Sequence, residues 1–425
     1  MVSSLLAPPS RWGAPRRFVG LWLAVMMTFG GPSAFAVQWF VNPTTGSDSN
    51  SGASGSPFKT IAHALSVAAT GDTINAAAGV YSAASTETFP LQFKDGVAIL
   101  GAGAAQSTID GGGNSSPIFV TSGTDLGTAT RLSGFTLMNG VNIAGTNFDG
   151  DLIAFDVGAN VMKPEIDNNA FVGFLQSNEG LTVAWDGNPG TFDANIHNNT
   201  FDSFSRAMDF ASTTNSLNGL TSLSPTISGN TFSNNLTAIY MSGSEMHITG
   251  SRTATYDPTI SGNTFTGGTE GIIVSLSILT QSGTSNFDFS PTISNNTFSG
   301  LTGNAISLSM SASSISGTAT QHIAPQVTGP SQSITGGSEG ILMRFRPRAS
   351  TAAQVTVAPS ITGNTISNTT QDGIALSDFA DASSSARVTV QPTITGNTVS
   401  SAGDFGIVLG SSLDGSGTSV VTYSP

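Results

Sequence analysis

The octapeptide Pro-Thr-Ile-Ser-Gly-Asn-Thr-Phe occurs at 225–232 and again, unchanged, at 258–265. Related copies bring the start positions to 164, 194, 225, 258, 291, 325, 359 and 392, so the steps are 30, 31, 33, 33, 34, 34 and 33 residues. The copy at 325, PQVTGPSQSI, is the most degenerate. A fixed period of this size means that one supersecondary unit is stacked on copies of itself. Within each unit an apolar/polar alternation ends in Pro-Thr-Ile-x-x-Asn. A short Asn-Thr-Phe follows, and then a Gly-Ile run such as Gly271-Ile272-Ile273-Val274 or Gly406-Ile407-Val408-Leu409. Period-two alternation punctuated by Gly, Ser and Asn specifies strands. Three short strands per unit predict one coil of a parallel β-helix, with successive coils stacked about 4.8 Å apart.

Stacking turns the repeat into side-chain ladders. Ile166, Ile196, Ile227, Ile260, Ile293, Val327, Ile361 and Ile394 are expected to form one inward row. Phe171, Phe201, Phe232, Phe265 and Phe298 form a second, continued by Ile366 and Val399. Asn169, Asn199, Asn230, Asn263, Asn296, Asn364 and Asn397 should form an amide ladder at a turn, each bonding to the coils on either side. These rows are structural.

Composition narrows the function classes. Charged residues are 9% of the 425, against about 25% in ordinary domains, which excludes coiled coils and long charged surface helices. The formal charge of −13 argues against a nucleic-acid partner. With no cysteine there is no disulfide, thiol chemistry or thiolate metal site. Residues 1–36 read as a cleaved signal peptide: Arg11, Arg16 and Arg17 precede an apolar run at 18–29, and Ala34-Phe35-Ala36 fits a small-x-small cleavage site. The expected location is therefore secreted or at the cell surface, and no later stretch is apolar enough to span a membrane.

The pieces FVNPTTGSDSNSG, SPFKTIAHAL, GDTINAAAGVY and GVAILGAG, within 38–113, resemble the amino-terminal segment of the DUF1565 family. LSGFTLMNG at 132–140 resembles its following coils. The resemblance implies an all-β, right-handed parallel β-helix of the pectin-lyase-like class. Residues 37–113 would form the cap and first coils, and 114–425 the repeats. Ser56-Pro57 predicts the start of a short capping helix with Phe58, Ile61, Leu65 and Ala68 on one face and Gly71 at its end. His63, within it, is expected to pack. Some pectate lyases with a similar segment use aspartates for calcium and a Lys or Arg base. The three lysines here, Lys59, Lys94 and Lys163, offer no match in the later repeats, so no catalytic residue is carried over.

Ten of the 26 acids fall between 149 and 209. Aligning the repeats stacks Glu165 on Asn195 and Asp167 on His197, with Ser or Thr at these positions in later coils. This predicts one acidic outer face, with Glu165, Asp167 and His197 as the candidate acid/base or Ca²⁺ group. The bland alternative is a solvated surface with a Lys163–Asp193 ion pair. Asp202 and Asp209 are further candidate ligand-binding residues. Arg344 and Arg346, in Arg344-Phe345-Arg346-Pro347-Arg348, should face outward and either bind anionic groups of a glycan or pair with Asp378 and Asp381.

Three functions remain open at this point. The first is an exported protein contacting polysaccharide or another surface without catalysis. The second is a polysaccharide lyase or glycoside hydrolase with its site near 165–209. The third is an ice-binding protein using the outward Thr rows. At the far end Pro425 falls 33 residues after Pro392, so the chain is expected to continue into a ninth repeat, a cap or an anchor, or else to self-associate there.

Overall fold

The computed structural model describes residues 36–425 apart from 114–117, 122, 141–150, 175–178, 186–189, 213–221, 249–252, 281–285, 315–318, 351, 417–419 and 424–425. The expected signal peptide, Asp149, Asp186 and the repeat start at Pro425 lie outside the described residues. Among the described residues no helix is long and apolar enough to cross a membrane.

The strands of successive coils pair in parallel into four sheets of 12, 11, 11 and 9 strands, a parallel β-helix of about ten turns. A regular coil therefore carries four strands where the repeat predicts three. In one coil these are Thr226–Ser228, Thr231–Ser233, Thr237–Ile248 and Thr253–Tyr256. The extra strand arises because the alternating run is cut at the proline. Tyr256 ends one strand, Thr259 begins the next, and Pro258 between them has no N–H to give to a ladder. The four faces are called here the isoleucine sheet, the phenylalanine sheet, the long sheet and the pre-proline sheet, in the order of these strands.

Both apolar ladders are in register. Ile166 through Ile394 pair coil by coil in the isoleucine sheet. Phe171, Phe201, Phe232, Phe265 and Phe298 stack with centroids 4.4 to 5.2 Å apart and planes within 13° of parallel. Ile334, Ile366 and Val399 continue the row.

One corner of each coil explains the remaining grammar. The residue before each ladder asparagine adopts positive φ, as at Asn198 (55°), Gly229 (62°), Gly262 (65°) and Asn295 (57°). Only Gly and Asn occupy this left-handed region cheaply, hence Gly-Asn or Asn-Asn in the motif. The ladder amide then bonds in both directions. Asn230 Nδ2 donates to the Ile196 carbonyl at 2.9 Å and to Asn263 Oδ1 at 3.1 Å, while its Oδ1 accepts from the Asn199 backbone N–H at 2.9 Å. In the degenerate repeat Gln332 stands in, and its Oε1 accepts from the Asn296 N–H.

The capping helix spans Ile61–Val67 and begins later than Ser56-Pro57 suggests. Phe58 is held back by backbone pairing with Phe40 and Asn42. Thr60 is the N-cap, its Oγ1 accepting from His63 N–H, and Glu87 accepts from the N–H groups of Ile61 and Ala62. His63 packs edge-on against Phe58. The helix ends at Ala68 rather than Gly71.

Phe265 is 1% exposed between two stacked rings. Phe265→Ala should cost about 3–5 kcal/mol in chemical denaturation. A loss under about 1 kcal/mol would contradict the stacking account.

Candidate functional site

The acids of 149–209 do not share one face. Glu165 and Asp167 lie on the isoleucine sheet, Asp202 on the phenylalanine sheet, and Glu179 and Asp209 on the long sheet. The coils turn four corners between copies, so acids close in sequence point in different directions.

On the isoleucine sheet the register is as the alignment predicts: Glu165 pairs with Asn195 and Asp167 with His197. The contacts are redistributed by Arg131, one coil earlier and in register with Glu165. Arg131 Nε and Nη2 donate to the two Asp167 oxygens at 2.7 and 2.6 Å, and Ser133 Oγ donates at 3.1 Å. Burial alone would raise the Asp167 pKa; the arginine fork outweighs it and holds the carboxyl below its ordinary value. His197 Nε2 instead meets Glu165 Oε1 at 2.9 Å. Ligating atoms of Glu165, Asp167 and His197 lie within 4.8 Å of one another, which could hold a metal ion. Asp167, however, is already saturated by donors, so the donor set fits a cation poorly. Sequence reasoning missed Arg131. Its segment, RLSGFTL at 131–137, is a repeat copy in which Phe135 replaces the ladder asparagine.

Asp202 is likewise occupied, accepting from Ser203, Ser233 and Asn234 at 3.0, 2.6 and 3.0 Å. Lys163 and Asp193 form the expected ion pair at 2.9 Å.

The long sheet carries a second cluster. Asp151 precedes the strand Ile153–Asp156, Glu179 opens Glu179–Trp185, and Arg206 opens Arg206–Ser212 in register with Glu179. Asp209 follows three residues after Arg206 and accepts from its Nη1 at 2.7 Å. The guanidinium also lies 3.4 Å from Glu179 and 4.2 Å from the Tyr240 ring centroid. Asp151 is fully buried, with the Thr182 hydroxyl and the Glu179 carboxyl as its polar neighbours. Burial, then the Glu179 charge, pushes Asp151 well above the carboxylate range. Burial and the Asp209 charge push Glu179 up to about 7. Asp209 is raised by burial against the pull of Arg206. The result is a file in which a neutral Asp151 can donate to Glu179 and a protonated Glu179 to Asp209. Glu179 is the member with solvent access, its side chain 17% exposed. A carboxyl that holds its proton near neutrality is equipped for general acid/base work.

Next to this file runs a groove of about 560 Å³ on the outer face of the long sheet. Tyr240 stands at one end and Arg344 and Arg346 at the other, with Ser275, Ser277, Ser309 and Ser311 between. The arginines face out because they alternate with buried Met343, Phe345 and Pro347. They do not pair with Asp378. That residue occupies the inward row below Phe345, 1% exposed, while Phe379 faces out at 52%. Arg346 lies over the Phe379 ring at 5.7 Å. Arg348 is in register with Asp381.

The family model for DUF1565, "Protein of unknown function", matches residues 44–283, more than half of the chain. The chain belongs to that family. No curated protein matches it. Similar solved structures include the catalytic unit of the thermostable GH87 alpha-1,3-glucanase of Streptomyces thermodiastaticus strain HF3-3. It is 17% identical with a TM-score of 0.35, over 93% of this chain and 68% of that one. The native GH136 lacto-N-biosidase of Eubacterium ramulus is 11% identical with a TM-score of 0.34, over 88% and 68%. The A-module of the Azotobacter vinelandii mannuronan C-5 epimerase AlgE6 is 12% identical with a TM-score of 0.32, over 85% and 92%. None of these identities is high enough to carry a residue's role across.

Arg131→Met strips Asp167 of its cation. Breaking a fully buried pair costs 3–5 kcal/mol. Because Arg131 is 36% exposed, about 2–3 kcal/mol is expected here by urea unfolding. Arg131→Met/Asp167→Leu should recover most of it. Asp378, raised by burial from 3.8 to about 6, binds its proton more tightly folded than unfolded. Its neutral form costs nothing below about pH 4, and stability falls as pH rises through 6. Asp378→Asn should therefore stabilise by about 2–3 kcal/mol at pH 7.5 and leave stability at pH 4 unchanged. Equal shifts at both pH values would overturn this assignment.

Proposed function

We propose that the protein is exported and binds a polysaccharide lengthwise along the outer face of the long sheet. The observation that carries this reading is the groove itself. It runs across the coils, so successive sugars of an extended chain would meet successive strands at a constant spacing. Serine hydroxyls at Ser275, Ser277, Ser309 and Ser311 give that floor donors and acceptors without bulk. The Tyr240 ring, held by Arg206 on one side, offers an aromatic surface to a sugar. Export rests on the basic start, apolar run and Ala34-Phe35-Ala36 of the first 36 residues. Amino-terminal sequencing of secreted protein, with Val37 expected first, tests it.

Affinity electrophoresis in gels cast with soluble polysaccharides tests the groove. Retardation by at least one polysaccharide is expected, reduced about tenfold in affinity by Tyr240→Ala at unchanged thermal stability. Retardation equal in the variant would place binding elsewhere.

A second reading, a hydrolase or lyase, is favoured by the proton held near neutrality at Glu179, two coils before the Tyr240 end of the groove. In that case new reducing ends or unsaturated uronate should accumulate, and Glu179→Gln should abolish them. With Glu179 as the acid, the rate should fall as pH rises through about 7. Full activity in the variant excludes this role.

A further inference from the structure

We infer that the groove selects glycans bearing anionic substituents, carboxylate or sulfate, and that Arg344 and Arg346 are the residues that read them. The inference rests on the polysaccharide reading above and deepens it. Both guanidinium groups stand on the groove wall, and among the described residues neither lies within 4.0 Å of a carboxylate. Arg131, Lys163 and Arg206, by contrast, are each bound to an acid. Of the two acids that sequence alignment offers to the Arg344–Arg348 run, Asp378 is turned into the core by the strand's alternation, and Asp381 faces out in register with Arg348. Phe379, the outward neighbour of Asp378, supports the Arg346 guanidinium from the side by a cation–π contact.

Two exposed forks two residues apart on one strand suit oxyanions, because a guanidinium donates two parallel bonds to carboxylate or sulfate oxygens. The floor separating them from Tyr240 spans three coil steps, roughly 14 Å along the axis. At the Tyr240 end the one cation, Arg206, is already taken up by Asp209 and Glu179, so no free guanidinium is offered to an anion there. The groove is thus polar along its length. An anionic group is held at the later coils, and an uncharged sugar is favoured over Tyr240. The formal charge of −13 makes the rest of the surface unattractive to a polyanion, which confines binding to this patch.

The test measures binding of the full chain, by titration calorimetry and affinity electrophoresis, to matched probes. These are polygalacturonate and its methyl ester, dextran sulfate and unmodified dextran, and polyglutamate as an anion that is not a sugar. The expected result is at least tenfold tighter binding of a charged glycan than of its neutral counterpart, weakened by added salt. Carboxylate and sulfate arms show which oxyanion is preferred. Arg344→Gln/Arg346→Gln should lose that tenfold preference with an unchanged unfolding midpoint, while Arg387→Gln, on the pre-proline sheet, keeps it. Equal affinity for charged and neutral members overturns the inference and leaves the groove reading standing. So does a loss in Arg387→Gln as large as in the double variant. Polyglutamate binding as tight as that of the charged glycans overturns the sugar part. Binding of no glycan at all overturns both readings.

Discussion

The amide ladder is the interaction on which the rest of this structure depends. Each coil is too short to have a core of its own. Its apolar side chains are covered only if the next coil lands in register, and a slip of one residue along a strand would turn the inward row outward. The ladder asparagine prevents the slip because it ties one coil's corner to both neighbours: its amide donates to the preceding isoleucine carbonyl and the next asparagine, and its oxygen accepts the preceding backbone N–H. The left-handed residue before it aims the side chain inward, where Asn230, Asn263 and Asn296 are at most 1% exposed. A buried amide with no partner would be expensive; one repeated at the coil spacing is satisfied along the whole stack.

Register fixed in this way decides what the outside can do. Every outward position becomes a row at a constant spacing, so chemistry on this fold arises from what a row contains and not from a folded pocket. The long sheet has the widest rows, since its strands reach 11 and 12 residues where those of the isoleucine sheet have three. Its floor is mostly serine, which lets a ligand approach the strands closely. In the groove, the aromatic and charged side chains stand at its two ends, Tyr240 at one and Arg344 and Arg346 at the other.

The isoleucine and phenylalanine ladders, the asparagine corner and the pairing of Asp167 with His197 were legible because these residues sit at fixed offsets from the repeat proline. Legibility stopped where that anchor is missing. Arg131 belongs to a coil whose ladder position is Phe135, so the repeat search did not reach it, and without its fork Asp167 looks like a free carboxylate. Asp151, Glu179 and Asp209 stack on strands that enter the long sheet after segments of unequal length, and no common offset aligns them. Asp378 failed for a different reason. Alternation in Ile374–Ala382 places it inward and Phe379 outward, against the ordinary preference of both residue types, so matching charges along the chain gave a pairing that the strand geometry forbids.

The two acidic groups show how little residue type alone determines. Each holds carboxylates, an arginine and an aromatic or imidazole ring across adjacent coils. On the isoleucine sheet the arginine gives two hydrogen bonds to one aspartate, with Glu165 farther off at 3.6 Å, and the Asp167 carboxyl is held ionised. On the long sheet one arginine is shared between Glu179 and Asp209, and Asp151 receives none of it. Three buried carboxyls with one cation cannot all be ionised, so at least one proton stays. Asp151, the most deeply buried, is raised furthest, and Glu179, the member with solvent access, is raised to about 7. Keeping such a proton opposes folding above the pKa of the free acid, and a solenoid can carry that cost locally because each coil interface adds its own stability. The acid file therefore sits where the fold tolerates strain in its electrostatics, between coils whose ladders hold register without help from the charges, and the groove begins on the coil after Asp209.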